Sequence, residues 1–264
     1  MNKFFKLLSL VAFCLLLIVS FSSVVNIYEK RNEISVTLKN KFSKISSYES
    51  DLALTKLKNE LDIYWANEIL NGGYILHFRH TERDKWIDLI MYDALESNAH
   101  NNGLYENRYA EKDYFYRAVC LNERGKIQAK AIGESLKNIG LPIGAVHSSV
   151  SCRARQTAEL AFGGYDKLHR ELVYSGLYNE NEELRVRNLK DLYLKLEEIK
   201  GKNTIVSSHN NVINCKMFIN QNCPNSDLSL EEGGFYVIRN SRDGLLFEHE
   251  FHNFNHFNRV FYER

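Results

Sequence analysis

The sequence predicts an α/β fold, a three-layer α/β/α sandwich whose central sheet is mostly parallel. Three observations carry that expectation. From Gly72 onward, short β-rich runs alternate with segments of helical period. All 14 glycines and both prolines lie at or beyond Gly72, so everything before it is a different kind of chain. Three of the strands end in basic or imidazole side chains, at the end of a parallel sheet where ligand-binding groups gather. Composition is consistent with this: 44% hydrophobic and 12% aromatic residues exclude collagen-like, low-complexity and disordered classes. The balance of 34 Lys+Arg against 33 Asp+Glu argues against a protein that coats nucleic acid.

Residues 1–27 carry Lys3 and Lys6 and then run without charge from Leu7 to Ile27, the pattern a secretion machinery reads. Two readings compete. The run is long enough to cross a ~30 Å hydrocarbon core as a helix, and no Ala-x-Ala cleavage site follows it. An uncleaved membrane anchor is therefore expected, with a cleaved signal peptide as the alternative. Either one places the remainder outside the cytoplasm, in the periplasm if the cell is Gram-negative. Without Lys3 and Lys6 the 34 basic residues fall to 32 against 33 acidic, a net charge of −1. An anion would then be bound by a local pocket and not by a global field.

Residues 28–71 contain no helix breaker. Apolar positions recur at spacings of three and four, through Ile34, Leu38, Phe42 and Ile45 and then Leu54, Leu57, Leu61, Trp65 and Ile69. This amphipathic helical segment reads either as a stalk through which two copies pair or as a helix folded back on the domain.

The domain itself spans 72–264. Tyr74–Phe78 follows a Gly pair and reads as a strand. Helical period runs from Glu123 to Ile139, with Asn122 as N-cap and Gly140 as stop. Gly144–Ser148 is a strand, and Arg153–Phe162 a helix closed by Gly163-Gly164. A helix over Arg187–Ile199 precedes the strand Thr204–Ser207. Asn210–Phe218 reads as a further helix, and Phe235–Arg239 and Leu245–Phe251 as the last strands, joined at Asp243-Gly244.

The first strand ends in Arg79-His80-Thr81-Glu82-Arg83, two guanidiniums around an imidazole. Arginine presents a planar fork suited to phosphate or carboxylate oxygens, and a neutral imidazole nitrogen attacks phosphorus once neighbours neutralise the oxygens. The second strand ends at His147-Ser148-Ser149 and leads into Arg153 and Arg155 in the first turn of a helix, where cations oppose the dipole. The third ends in Ser207-Ser208-His209, running into a helix whose free N–H groups favour anions.

Four pieces together resemble the histidine phosphatase (phosphoglycerate mutase-like) superfamily, branch 1 type: FRHTER, LNERGKIQA, SSVSCRARQTAELAF and IVSSHNNVI. The resemblance implies a phosphomonoesterase in which His80 becomes phosphohistidine and Arg79, Arg83, Arg153 and His209 hold the phosphoryl oxygens. It implies no metal and no cofactor, and a small phosphorylated substrate. Arg155 is expected on the surface of its helix. The acid that protonates the leaving alcohol is sought among Glu180, Glu182 and Glu183, with Glu171 and Asp166 further off; Glu180 is the choice because the preceding turn could present it. Two departures stand out: Thr81 and Asn210 occupy positions where the family commonly has Gly. A β-branched Thr tolerates positive φ poorly, so its backbone must be ordinary or the pocket reshaped. A non-catalytic phospho-ligand binder on the same fold and a phosphomutase are the alternatives.

Residues 84–121 form a long aromatic-rich insertion that reads as a substrate-selecting lid or as packing. His249, His252 and His256 are spaced loosely like a metal site, but interleaved Phe and Asn favour structural imidazoles. Cys120, Cys152, Cys215 and Cys223 allow two disulfides in an oxidising compartment, and Cys215 and Cys223 are near enough in sequence to pair.

Overall fold

The computed structural model describes residues 47–84, 119–173, 181–196, 199–224 and 228–262. The expected anchor, the first part of the amphipathic segment, most of the aromatic insertion and Glu180 lie outside them. Among the described residues no helix is long and apolar enough to cross a membrane. The chain partitions into two compact units at Lys58/Asn59, and of the first unit only the opening of helix α1 (Ser47–Glu68) is described. The second unit starts ahead of Gly72, because Trp65, Ala66 and Ile69 are buried in the same apolar cluster as the sheet.

The second unit is a six-stranded sheet in the order β3-β2-β4-β1-β5-β6. Its strands are β1 (Ile75–Arg79), β2 (Ile143–Ser149), β3 (Lys167–His169), β4 (Asn203–Ser208), β5 (Phe235–Ser241) and β6 (Gly244–Phe251). β1 to β4 run parallel, and β5 is antiparallel to β1 and to β6. Period-two alternation divides the side chains between two faces. Leu76, Phe78, Val146, Ile205, Phe235 and Val237 pack beneath α2 (Glu123–Asn138), α3 (Cys152–Phe162) and α5 (Phe254–Tyr262). Ile75, Val206, Tyr236 and Ile238 face α4 (Glu182–Leu194) through Val186, Leu189 and Tyr193. In β6 a register shift pairs Val237 with His249 but Ile238 with Phe247, so Leu245 and Phe247 fall on one face and Phe251 on the other.

The helix starts follow local chemistry. Asn122, Ser151 and Asn181 each accept a backbone N–H from the third residue on, capping α2, α3 and α4. Asn181 explains why α4 begins at Glu182, before the expected Arg187. The parallel edge strand β3 has no counterpart in the sequence expectation; three residues carry too little periodicity to announce a strand.

One expected helix is absent. Over 210–218 the chain makes a turn, an extended stretch and a single 3₁₀ turn at Cys215–Met217. Asn211 adopts φ 61°, which breaks helical continuation, and the side chain of Asn214 accepts from Lys216 N and restarts the chain locally. A disulfide from Cys215 to Cys223 then ties the segment into a short closed loop. His209 therefore receives no help from a following helix dipole.

Asp62 of α1 is fully buried, and its carboxylate receives His249 Nε2 at 2.8 Å on one oxygen and His256 Nε2 at 2.7 Å on the other. Burial opposes ionisation of Asp62, but these hydrogen bonds outweigh it and hold the carboxyl below its usual range. His252 turns instead to Glu250 at 3.2 Å. The three histidines thus share no common centre, and two of them fasten α1 to β6 and α5.

Candidate active site

Three adjacent parallel strands deliver the site at their carboxyl ends. His80 is the first residue past β1 and His209 the first past β4, and His80 N donates to Ser208 O at 2.9 Å. Both imidazoles are buried, and their ring centroids lie 5.4 Å apart. His80 Nδ1 is 2.8 Å from Thr81 O. A carbonyl only accepts, so Nδ1 carries the proton and Nε2 keeps its lone pair, with no hydrogen bond among the described residues. His209 Nε2 sits 3.1 Å from both Ser149 Oγ, at the end of β2, and Ser151 Oγ, the N-cap of α3. Its Nδ1 is buried without a hydrogen-bond partner among the described residues.

Three guanidiniums act electrostatically on His80, and two of them on His209. Burial, then Arg153, Arg79 and Arg83, push the His80 pKa well below the ordinary imidazole range. Burial and then Arg153 do the same to His209, with His80, His77 and Arg83 contributing. Both rings are accordingly neutral at neutral pH, the state a nucleophile requires. Arg153 is 2% exposed and Arg83 7%, each far less than an arginine without a role in packing or binding. Arg83 Nη1 donates to Asp84 O at 3.1 Å. Arg79 donates to the Leu230 carbonyl and lies 3.6 Å from Glu232 Oε1. Arg155, expected on the surface, is buried at 5%, because the first turn of α3 is enclosed on all sides.

Thr81 resolves one departure from the family pattern. Among the described non-glycine residues only Asn211 has positive φ, so Thr81 and Asn210 hold ordinary backbone. The Thr81 hydroxyl donates to Gly125 O at 2.8 Å, and its amide donates to Thr157 Oγ1 at 3.1 Å. Thr157 in turn donates to Arg153 O at 2.8 Å. Gly125 is required here, since an added Cβ would stand 1.9 Å from Glu82 O. The hydroxyl of Thr81 thus ties His80 to α2, and its amide ties it to α3.

Cys120 and Cys152 are disulfide-bonded, which joins the chain returning from the aromatic insertion to the residue preceding Arg153. The same return is clasped to β1's extension, where Asn122 Nδ2 reaches Glu82 Oε1 at 3.1 Å and Asp84 Oδ1 at 3.2 Å.

Of the carboxylates considered as proton donor, Glu182 is exposed and bound to Lys216 Nζ at 3.1 Å; that hydrogen bond and charge lower its pKa, the wrong direction for an acid. Asp166 Oδ2 is occupied by Val146 N at 2.7 Å. Glu171 and Glu183 are exposed. Sequence reasoning did not single out Ser149, Ser151 or Thr157; of these only Ser151 carried a local signal, as an N-cap before a helical run.

Residues 114–172 match the histidine phosphatase superfamily (branch 1). That stretch is similar to the family in sequence. The matched stretch contains α2, β2, α3, β3 and Arg153, while His80 and His209 flank it and reach it through β1 and β4. A phosphoglycerate mutase of Candida albicans is 35% identical over 77 residues, 28% of this chain and 31% of the mutase, so the chain spans about a third of that relative. Among solved structures, the protein histidine phosphatase SixA complexed with tungstate is similar at 15% identity and TM-score 0.42, over 67% of this chain and 95% of SixA. A phosphoserine phosphatase mutant of Entamoeba histolytica is similar at 13% identity and TM-score 0.41, over 67% of this chain and 95% of its own.

Proposed function

We propose that the second unit is a histidine phosphatase that hydrolyses small phosphomonoesters through a phosphohistidine on His80. The observation that carries the reading is the buried imidazole of His80, its Nδ1 held against Thr81 O and its Nε2 without a hydrogen bond among the described residues, lying against His209 in a setting that three arginines make positive. In the first step Nε2 attacks phosphorus in line and the P–O bond to the alcohol breaks. Arg79, Arg83, Arg153 and His209 hold the three non-bridging oxygens, whose charge is greatest in transfer. A carboxylic acid, Glu180 by our reading, gives its proton to the departing alcohol. Water then attacks the phosphohistidine, the same carboxylate takes a proton from it, and free phosphate leaves with the enzyme restored.

A phosphomutase is the second reading, favoured by the match to a phosphoglycerate mutase. Product analysis separates them: free phosphate accumulates in one case and an isomerised ester in the other. Two disulfides among the described residues support a place outside the reducing cytoplasm, as the basic-then-apolar start also suggests. The deciding experiment is a phosphomonoester panel on the full chain with alkaline-quench trapping of phosphoenzyme. His80→Ala should abolish both turnover and the acid-labile label; a wild-type chain inert on the panel and unlabelled overturns the hydrolase.

A further inference from the structure

We infer that His77 and Tyr193 form a positioning pair that fixes the backbone of His209, an inference that rests on His209 serving the phosphoryl group as proposed above. His77 is fully buried within β1 on the face opposite Phe78, enclosed by Tyr193 of α4 and Tyr236 of β5, whose rings lie 6.2 and 5.8 Å from its own. A buried histidine in the middle of a central strand is costly unless both nitrogens are satisfied. Both are. His77 Nε2 is 3.2 Å from His209 O, and Nδ1 is 2.5 Å from Tyr193 Oη.

The hydrogen arrangement has one solution. The His209 carbonyl accepts and cannot donate, so His77 Nε2 bears the proton. In a neutral ring Nδ1 is then an acceptor, and the Tyr193 hydroxyl must donate to it. Both groups hold the states this demands: burial lowers the His77 pKa to about 4, and burial pushes the Tyr193 hydroxyl well above its usual range. Tyr193 therefore selects the tautomer of His77, and His77 selects the orientation of the peptide that follows His209.

That peptide lies where the ladder no longer supports the chain. β4 ends at Ser208, and the next residues turn through Asn211 at φ 61°. The second support of this turn is Asn210 Oδ1, which accepts Leu230 N at 2.9 Å, while the Leu230 carbonyl accepts from Arg79. Releasing the His209 carbonyl would let the turn rotate and carry the imidazole away from Ser149, Ser151 and His80. His77 touches no substrate in this scheme; its effect is transmitted through one carbonyl.

The test compares Tyr193→Phe, His77→Leu and His77→Gln in the full chain. Nitrogen-15 NMR of the wild type should find His77 as the Nε2–H tautomer near neutral pH; an Nδ1–H tautomer overturns the pair. Calorimetry with inorganic phosphate should give affinities about tenfold weaker for Tyr193→Phe and His77→Leu, and near wild type for His77→Gln, which keeps a donor toward the carbonyl. On a turned-over ester, kcat/KM should fall about ten- to a hundredfold in the first two and stay near wild type in His77→Gln. Both affected variants unfolding at lower temperature yet binding phosphate and turning over like wild type, when assayed well below that temperature, would assign the pair a packing role only and overturn the inference. If no ester is turned over by wild type, the hydrolase reading fails, and the tautomer and phosphate affinities still decide the positioning role.

Discussion

The amide of Thr81 donates to the hydroxyl of Thr157, and that hydroxyl donates onward to the carbonyl of Arg153. Two residues of the pocket, His80 and Arg153, are thereby connected through one buried oxygen. Thr157→Val removes the oxygen while keeping the shape and leaves the Thr81 amide unsatisfied. It should cost about 1–3 kcal/mol of stability by chemical denaturation and reduce kcat at temperatures where the fold is intact. Thr157→Ser should recover most of both.

Arg153 is the most enclosed of the three guanidiniums, and after burial its charge acts most strongly on both His80 and His209. Arg153→Lys keeps a charge but loses the planar fork, and Arg153→Ala loses both. The alanine variant should lower kcat/KM about a hundred- to a thousandfold in steady-state assays, with the lysine variant between it and wild type.

Acid should unfold the body through its buried neutral imidazoles. His77 titrates near 4 in the folded chain against an ordinary 6.5, so between these values the unfolded state binds a proton that the folded state does not. Stability from this residue is complete above the unfolded value and is lost as pH falls toward the folded one. The integrated loss is about 3 kcal/mol. Denaturant midpoints measured from pH 7 to 4 should fall steeply, and His77→Gln should flatten part of that slope.

The two disulfides close loops of different length, with sequence separations of 32 and 8. Loop-closure entropy favours the longer by about 1.2 kcal/mol, roughly 3.7 against 2.5. Paired serine substitutions should therefore lower the melting temperature more at Cys120/Cys152 than at Cys215/Cys223. The former should also weaken inorganic phosphate, because Cys152 directly precedes Arg153.

Most of the parallel sheet was legible because strand and helix periods differ and Asn or Ser caps marked the helix starts. The strand-end residues were legible as well, since Arg and His at the close of apolar runs conflict with burial unless they serve a site. What escaped notice depended on long-range contacts. Arg155 looked solvated by sequence position, yet the enclosed first turn of α3 buries it. The expected helix after His209 failed because one left-handed Asn and a nearby disulfide outweigh a helical pattern of few residues. His77 gave no signal at all: within a strand it is one more alternating position, and only α4, more than a hundred residues later, supplies its partner.

Asp62 bears on where this protein can be cut. Glycine content puts the seam at Gly72, and a fragment starting there would look complete by every motif it contains. It would nonetheless strand two imidazoles whose shared counter-charge had been deleted, and uncover the apolar bed that Trp65 and Ile69 occupy. The seam of the fold therefore lies inside a helix, ahead of a buried carboxylate, and not at a glycine hinge.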